Sequence, residues 1–204
     1  MDAMRAGRRA DRLAIPMISL PFRRTPDPTI GALYGMIVAQ ARSPAFYRGY
    51  GVPDTVAGRM DMIVLHLVLV LRRLREISVS RHPLGQDLFD LFCRDMDDNF
   101  REMGVGDLRV PKEMRRVAEA FYGRAKAYDT ALDAGDEPAL VAALARNLMA
   151  SAEPTLGARR LAAYVGATVR HLATQEIASG AGATIAFLDP ESIAQPAPQD
   201  QSVP

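Results

Sequence analysis

Reactive side chains are few in this chain of 204 residues, and their spacing decides which chemistry stays open. The densest group is Asp95-Met96-Asp97-Asp98, with Asp87 and Asp90 upstream at helical spacing. All-α isoprenoid-type enzymes hold magnesium diphosphate with such aspartates, because hard cations take oxygen ligands. An Asp-Asp-x-x-Asp motif starting at Asp97 needs an acid at position 101, which is Arg101, and no facing acidic motif follows on a later helix. Asp87, Asp90, Arg94, Asp97 and Arg101 instead share one polar face of mixed sign. A solvated or partner-facing surface fits that face better, and the magnesium enzyme stands as the rival reading.

The remaining candidates are sparser. His66, His82 and His171 are never four residues apart, so no paired Glu-x-x-His di-iron motif exists. Cys93 is the only cysteine, which leaves neither an internal disulfide nor a cysteine zinc site. It lies beside Phe92 on an apolar stripe, where a thiol fills core volume. His66 lies in the most apolar stretch and reads as a buried neutral ring with a hydrogen-bond partner, the alternative being a proton-switchable contact or haem ligand. There is no Gly-x-Ser-x-Gly elbow and no glycine-rich phosphate loop. The reading is of no catalytic residue, no metal and no cofactor.

Charge points to binding, locally rather than globally. A formal net charge of +1 draws the whole molecule neither to DNA nor to anionic lipid. Arg5, Arg8, Arg9, Arg12, Arg23 and Arg24 crowd the N-terminus, Arg72, Arg73 and Arg75 close a helix, and Lys112, Arg115, Arg116, Arg124 and Lys126 lie along another. Each set is ordinarily a solvated face. A subset could touch ribosomal RNA or lipid headgroups, with an affinity that falls as salt rises.

The elements that must position these groups are helices. With 6% aromatic residues, no Trp and abundant Ala, Leu, Met and Arg, the composition favours helix over strand. Residues 1–28, with Pro16, Pro21, Pro26 and Pro28, read as an irregular basic arm, and residues 189–204 as a disordered Pro-rich tail. Between them, residues 29–188 read as one all-α domain of six or seven helices. A first helix covers about 30–42, and a short one starts at Pro44 with Ser43 as N-cap. A long central helix spans about 55–80 and is apolar nearly all round between Met62 and Leu71. His82-Pro83 precedes the stripe Leu84, Leu88, Leu91, Phe92, Met96, Phe100 and Met103, which Gly104-Val105-Gly106-Asp107 breaks. Further helical patterns follow Pro111, Asp136 and Gly157, the last reaching Ala178, and residues 183–188 fit either a short extended piece or a strapping turn. The stretch Leu13 to Phe22 contains Pro16 and Pro21 and lacks a small-residue cleavage site, so it does not read as a secretion signal. The ten residues Met62–Leu71 would rise about 15 Å as helix, half of a bilayer core.

Two stretches resemble a known family. One contains Phe46-Tyr47-Arg48 and Gly51-Val52-Pro53-Asp54 and continues through Met62 to Arg75; the other runs from Leu88 through Met103-Gly104-Val105-Gly106-Asp107, followed by Phe121-Tyr122-Gly123-Arg124 and Tyr128-Asp129. Over roughly residues 30–175 the chain resembles the ubiquinol–cytochrome c chaperone family, whose mitochondrial members assist assembly of cytochrome b and which has relatives in α-proteobacteria. The resemblance implies an all-α, non-catalytic protein that binds nascent cytochrome b. It further implies work near the ribosome exit and in peripheral contact with the inner membrane, with a small helical co-chaperone or self-association as further partners. The long targeting extension of the mitochondrial members is missing here. The expected location is therefore the cytoplasmic side of a bacterial inner membrane, or the matrix side in a mitochondrion. A generic helical scaffold is the other rival.

Within the matching stretches, Met103, Gly104, Gly106 and Asp107 belong to the loop expected to be exposed. Phe46, Tyr47, Phe121, Tyr122 and Tyr128 are candidates to line a groove beside it, with core packing as the alternative. Arg48, Asp54, Asp98, Glu102 and Arg124 are the polar candidates for a client or partner surface.

Overall fold

The computed structural model describes residues 28–77, 84–177 and 184–196. The basic arm read over 1–28 (apart from Pro28, which opens the first helix), the His82-Pro83 separator and the tail beyond 196 lie outside the described residues. Seven α-helices appear among the described residues, and no strand: α1 (Pro28–Ala41), α2 (Pro44–Gly49), α3 (Val56–Ile77), α4 (Leu84–Glu102), α5 (Val110–Ala134), α6 (Glu137–Leu148) and α7 (Leu156–Ala173).

Local chemistry sets most of these ends. Pro28, Pro44, Pro111 and Pro138 sit in first turns, where the missing amide proton costs nothing. Asp136 accepts from the Ala139 amide at 2.9 Å and Thr155 from the Ala158 amide at 2.9 Å, satisfying donors at the starts of α6 and α7. Ser43 occupies the N-cap position of α2 but makes no side-chain cap bond. The last helix stops at Ala173 rather than Ala178, because the Thr174 amide and hydroxyl both turn back onto the His171 carbonyl.

Helix α3 touches α1, α4, α5, α6 and α7. Every residue from Met62 to Val70 is buried, as a helix covered on all sides requires. Its later turns are tied to α5 by ions: Arg72 pairs with Asp129 at 3.2 Å and Asp133 at 2.6 Å, and Arg75 with Asp129 at 2.6 Å. At the start of α3 the loop over residues 50–54 lies almost on the helix backbones. A Cβ on Gly58 would come within 2.1 Å of the Pro53 carbonyl oxygen, and one on Gly157 within 2.0 Å of that of Tyr50. Only glycine fits at these two contacts.

An aromatic knot fills that end. Phe46 packs edge-on to Tyr164 at 5.0 Å and to His66 at 5.4 Å, with Tyr50 at 5.3 Å. His66 Nδ1 donates to the Met62 carbonyl at 2.8 Å, so its Nε2 accepts from the Tyr164 hydroxyl at 2.9 Å. That oxygen in turn accepts from Gln40 Nε2 at 2.9 Å. Burial pushes the imidazole down to about 4, keeping it neutral, and the Tyr164 phenol up to about 12.

The segment after α7 returns across this knot. Ile185 and Pro190 are buried, the Phe187 ring stands edge-on to His66 at 5.2 Å, and a 3-10 turn forms at Pro190–Ser192. The tail expected to be disordered from residue 189 therefore starts with an anchored turn. The Tyr50 hydroxyl donates to the Pro190 carbonyl, and Arg160 donates to the Ile193 carbonyl at 2.7 and 3.0 Å. Proline content argued for disorder, but these long-range bonds supply what local propensity lacks.

Candidate protein-interaction surface

Helices α4 and α5 form a hairpin whose inner half belongs to the core and whose outer half does not. Phe89 and Phe92 on α4 meet Phe121 on α5 at 4.8 and 6.0 Å, and the Tyr34 hydroxyl donates to Asp95 at 2.6 Å, tying α4 to α1. Beyond that contact, from Asp97 to Ala120, Val110 is the only buried residue. So little burial leaves most of this stretch on the surface.

Its tip is apolar and braced. Leu108 is 97% exposed and Met103 59%, two of the four large apolar side chains exposed among the described residues. Phe100, Val105, Met114 and Val117 in the same stretch are half-buried, Met114 and Val117 against the core. The turn is closed by Val105 N–H to the Phe100 carbonyl at 3.0 Å and Gly104 N–H to that of Arg101 at 2.9 Å, with Gly104 at φ +78°. Arg101 grips Asp97 at 2.6 Å from one side and Asp107 from the other, clamping the end of α4 to the turn. Exposed apolar side chains on a braced turn offer contact area whose ordering has been settled in advance.

Charge divides the hairpin lengthwise. On the α4 side Asp97, Asp98, Glu102 and Asp107 outnumber one base, Arg101; on the α5 side Arg109, Lys112, Arg115 and Arg116 outnumber two acids, Glu113 and Glu119. Arg116 pairs with Glu113 at 2.9 Å. An apolar tip between an acidic and a basic flank suits a polypeptide presenting both signs better than a uniformly anionic surface.

The residues singled out in the sequence separate into groups. Asp98, Glu102, Met103, Gly104, Gly106 and Asp107 come together on this exposed outer hairpin. Phe46, Phe121 and Tyr128 do not line an open groove beside it: they are 0%, 4% and 0% exposed, because each sits on the apolar stripe of its helix. Tyr122 is half-buried against Phe89 at 5.7 Å. Tyr47 is half-buried and donates to the Ala41 carbonyl at 2.7 Å, beneath an Arg59 guanidinium that pairs with Asp54 at 2.7 Å. Arg124 is no free contact, since it pairs with Asp61 of α3 at 2.8 Å with both side chains mostly covered. Arg48 is exposed on α2, away from the hairpin residues. Leu108 was missed, although a leucine between Asp107 and Arg109 in a turn is itself a signal of an outward apolar contact.

The groups that suggested catalysis serve packing and surface roles. The aspartates diverge: Asp95 accepts from Tyr34, Asp90 from Gln86 at 2.7 Å, Asp97 pairs with Arg101, and Asp98 faces solvent. Burial pushes the Cys93 thiol up to about 11, which leaves it protonated and poorly nucleophilic. Among the described residues no three His, Cys, Asp or Glu side chains are grouped to hold a metal ion.

Comparison with known proteins gives this surface its context. A family model described as ubiquinol-cytochrome C chaperone matches residues 48–184, which include the whole hairpin. The chain belongs to that family. A solved structure titled "Crystal structure of the Cbp3 homolog from Brucella abortus" superposes with a TM-score of 0.71 at 37% identity, covering 82% of this chain and 92% of that one. No curated protein matches. Membership of a chaperone family implies a protein partner and a non-enzymatic role. No described helix is long and apolar enough to cross a membrane.

Proposed function

We propose that this chaperone holds newly made cytochrome b and assists its assembly into the respiratory cytochrome bc complex, using the outer half of the α4–α5 hairpin as its contact surface. The observation that carries the reading is the braced, exposed Met103–Leu108 tip in a member of the ubiquinol-cytochrome C chaperone family. A polytopic client exposes apolar helices before insertion, and adaptable methionine and leucine contacts suit their varied surfaces. The flanking charges hold the loops that join those helices, where both signs occur. The encounter takes place on the cytoplasmic side of the inner membrane, near the ribosome exit, with the basic N-terminal residues as a salt-sensitive peripheral contact to lipid or ribosome. A small helical co-chaperone or a second copy is a further partner of the same surface.

The test is genetic and then chemical. Deleting the gene is expected to lower assembled cytochrome b and ubiquinol oxidation together, with other membrane proteins unaffected. A photo-crosslinker at Leu108 is expected to capture nascent cytochrome b, whereas one at the exposed Glu153, in the turn between α6 and α7, is not. Normal cytochrome b levels in the deletion strain would rule the reading out.

A further inference from the structure

Residues 184–193 are held in an unusual manner. Before the 3-10 turn they form neither helix nor strand, and the bundle grips their main chain with side chains. Gln175 donates from Nε2 to the Ala186 carbonyl at 2.7 Å and accepts the Ala186 amide on Oε1 at 2.8 Å. Gln40 Nε2 donates to the Leu188 carbonyl at 2.8 Å, the Tyr50 hydroxyl to that of Pro190, and Arg160 twice to that of Ile193. Arg160 is itself fixed, lying 4.3 Å over the Tyr50 ring and donating to the Gly49 carbonyl at 3.1 Å. These grips come from α1, the end of α2, α7 and the turn after it, so the groove is assembled by elements other than its occupant.

Between the main-chain bonds, some side chains of the segment are covered. Ile185 and Pro190 are buried, Phe187 is half-buried against His66, and Ala186, Asp189 and Glu191 point outward. A main chain gripped by polar side chains, with pockets taking some of its side chains, is how peptide-binding proteins hold extended ligands. Bonds to a main chain do not depend on whose chain it is. The segment is held by side-chain bonds and a few covered side chains rather than by a helix or sheet ladder. Fixing ten such residues carries a large entropic cost, which is the setting in which local opening costs less than global unfolding.

We propose that this groove is a second binding site, for an extended partner segment with apolar residues at the places of Ile185 and Phe187 and a proline three beyond the latter, and that residues 184–193 fill it in cis until such a segment displaces them. The site goes beyond the hairpin surface and does not depend on the client being cytochrome b. When vacated it uncovers the ring edge of His66 now met by Phe187 and the Tyr50 hydroxyl now bonded to Pro190; the internal occupant keeps both covered between engagements.

A labelled synthetic peptide of residues 184–196 tests the site on the full-length protein. It is titrated against the unmodified chain and against the full-length Ile185→Ala/Phe187→Ala variant, whose segment is weakened and whose groove is unaltered. Saturable binding to the variant is expected to be at least about tenfold tighter than to the unmodified chain, and to fall at least about tenfold when Gln175→Ala is added. A peptide of scrambled order is expected not to bind. Equal binding by the scrambled peptide, or no saturable binding to a variant that still melts cooperatively, overturns the proposal. If the variant does not fold, amide exchange on the unmodified chain decides. Exchange at Ala186 much faster than along α3 supports a detachable occupant, and exchange at the rate of α3 overturns it.

Discussion

The aromatic knot around His66 and the outer α4–α5 hairpin use their apolar residues in opposite ways. In the knot, Phe46, Tyr50 and Tyr164 are all 0% exposed and hydrogen bonds join α1, α2, α3, α7 and the returning C-terminal segment. In the hairpin, Leu108 and Met103 face solvent and the ion pairs are local, Arg101 reaching only to Asp97 and Asp107. One region spends its apolar surface on stability and the other withholds it for a partner. Changes in the first should move the melting curve, and changes in the second should move binding alone.

The sharpest break comes from emptying the knot. Phe46→Ala removes a ring packed against Tyr50, His66 and Tyr164 at a site that cannot collapse freely. A loss of about 3–5 kcal/mol of stability is expected in denaturant unfolding. A loss near that of an exposed residue would show that the knot is not the core.

Acid probes the same place. An unfolded histidine takes up a proton as pH falls through about 6.5, whereas buried His66 resists down to about 4. Between those values the unfolded state binds more protons, so stability falls as pH falls. The full effect is about 3 kcal/mol, complete below pH 4 and absent above 6.5. His66→Gln is expected to flatten this part of the pH dependence of the unfolding midpoint, leaving only the slope from carboxylates. An unchanged slope would mean that the ring is already reached by protons in the folded state.

The comparison also shows what was legible in the sequence. That a helix runs through Met62–Leu71 could be read from an apolar run broken only by His66, and the turn at Gly104 because glycines interrupt a clear stripe. The roles of Phe46 and Phe121 could not be read from the same information. An aromatic on a helix's apolar stripe looks alike whether the neighbouring element covers it or leaves it open, and only tertiary packing decides. Arg124 misled for a related reason, as its partner Asp61 lies on another helix, 63 positions away. The anchored turn after Leu188 was hidden too, since its partners Gln40, Tyr50 and Arg160 are distant in sequence and prolines locally argue for disorder.

A smaller stability effect is expected where the hairpin turns. Gly104 sits at φ +78° with open space around its missing Cβ, so Gly104→Ala meets backbone strain and no clash. The expected cost is about 1 kcal/mol, with faster amide exchange confined to the turn. A cost of several kcal/mol would place the tip inside the cooperative core and weaken the contrast between the regions.

The least stability change and the most specific loss should come together at Met103 and Leu108. Neither side chain belongs to the buried core, so Met103→Glu/Leu108→Glu removes little packing and adds charge in water. Unfolding should stay within about 0.5 kcal/mol of the unmodified chain, as for other surface changes. Binding is different, because a partner covering the tip would have to desolvate two carboxylates without paired cations. Recovery of cytochrome b with the purified variant should fall to the level of a strain lacking the gene, while the variant itself accumulates normally. Full recovery with both residues changed would move the client surface off the hairpin tip, and a collapse of stability would mean that the tip is core after all. Only unchanged folding combined with lost capture is consistent with apolar surface held in reserve for another chain.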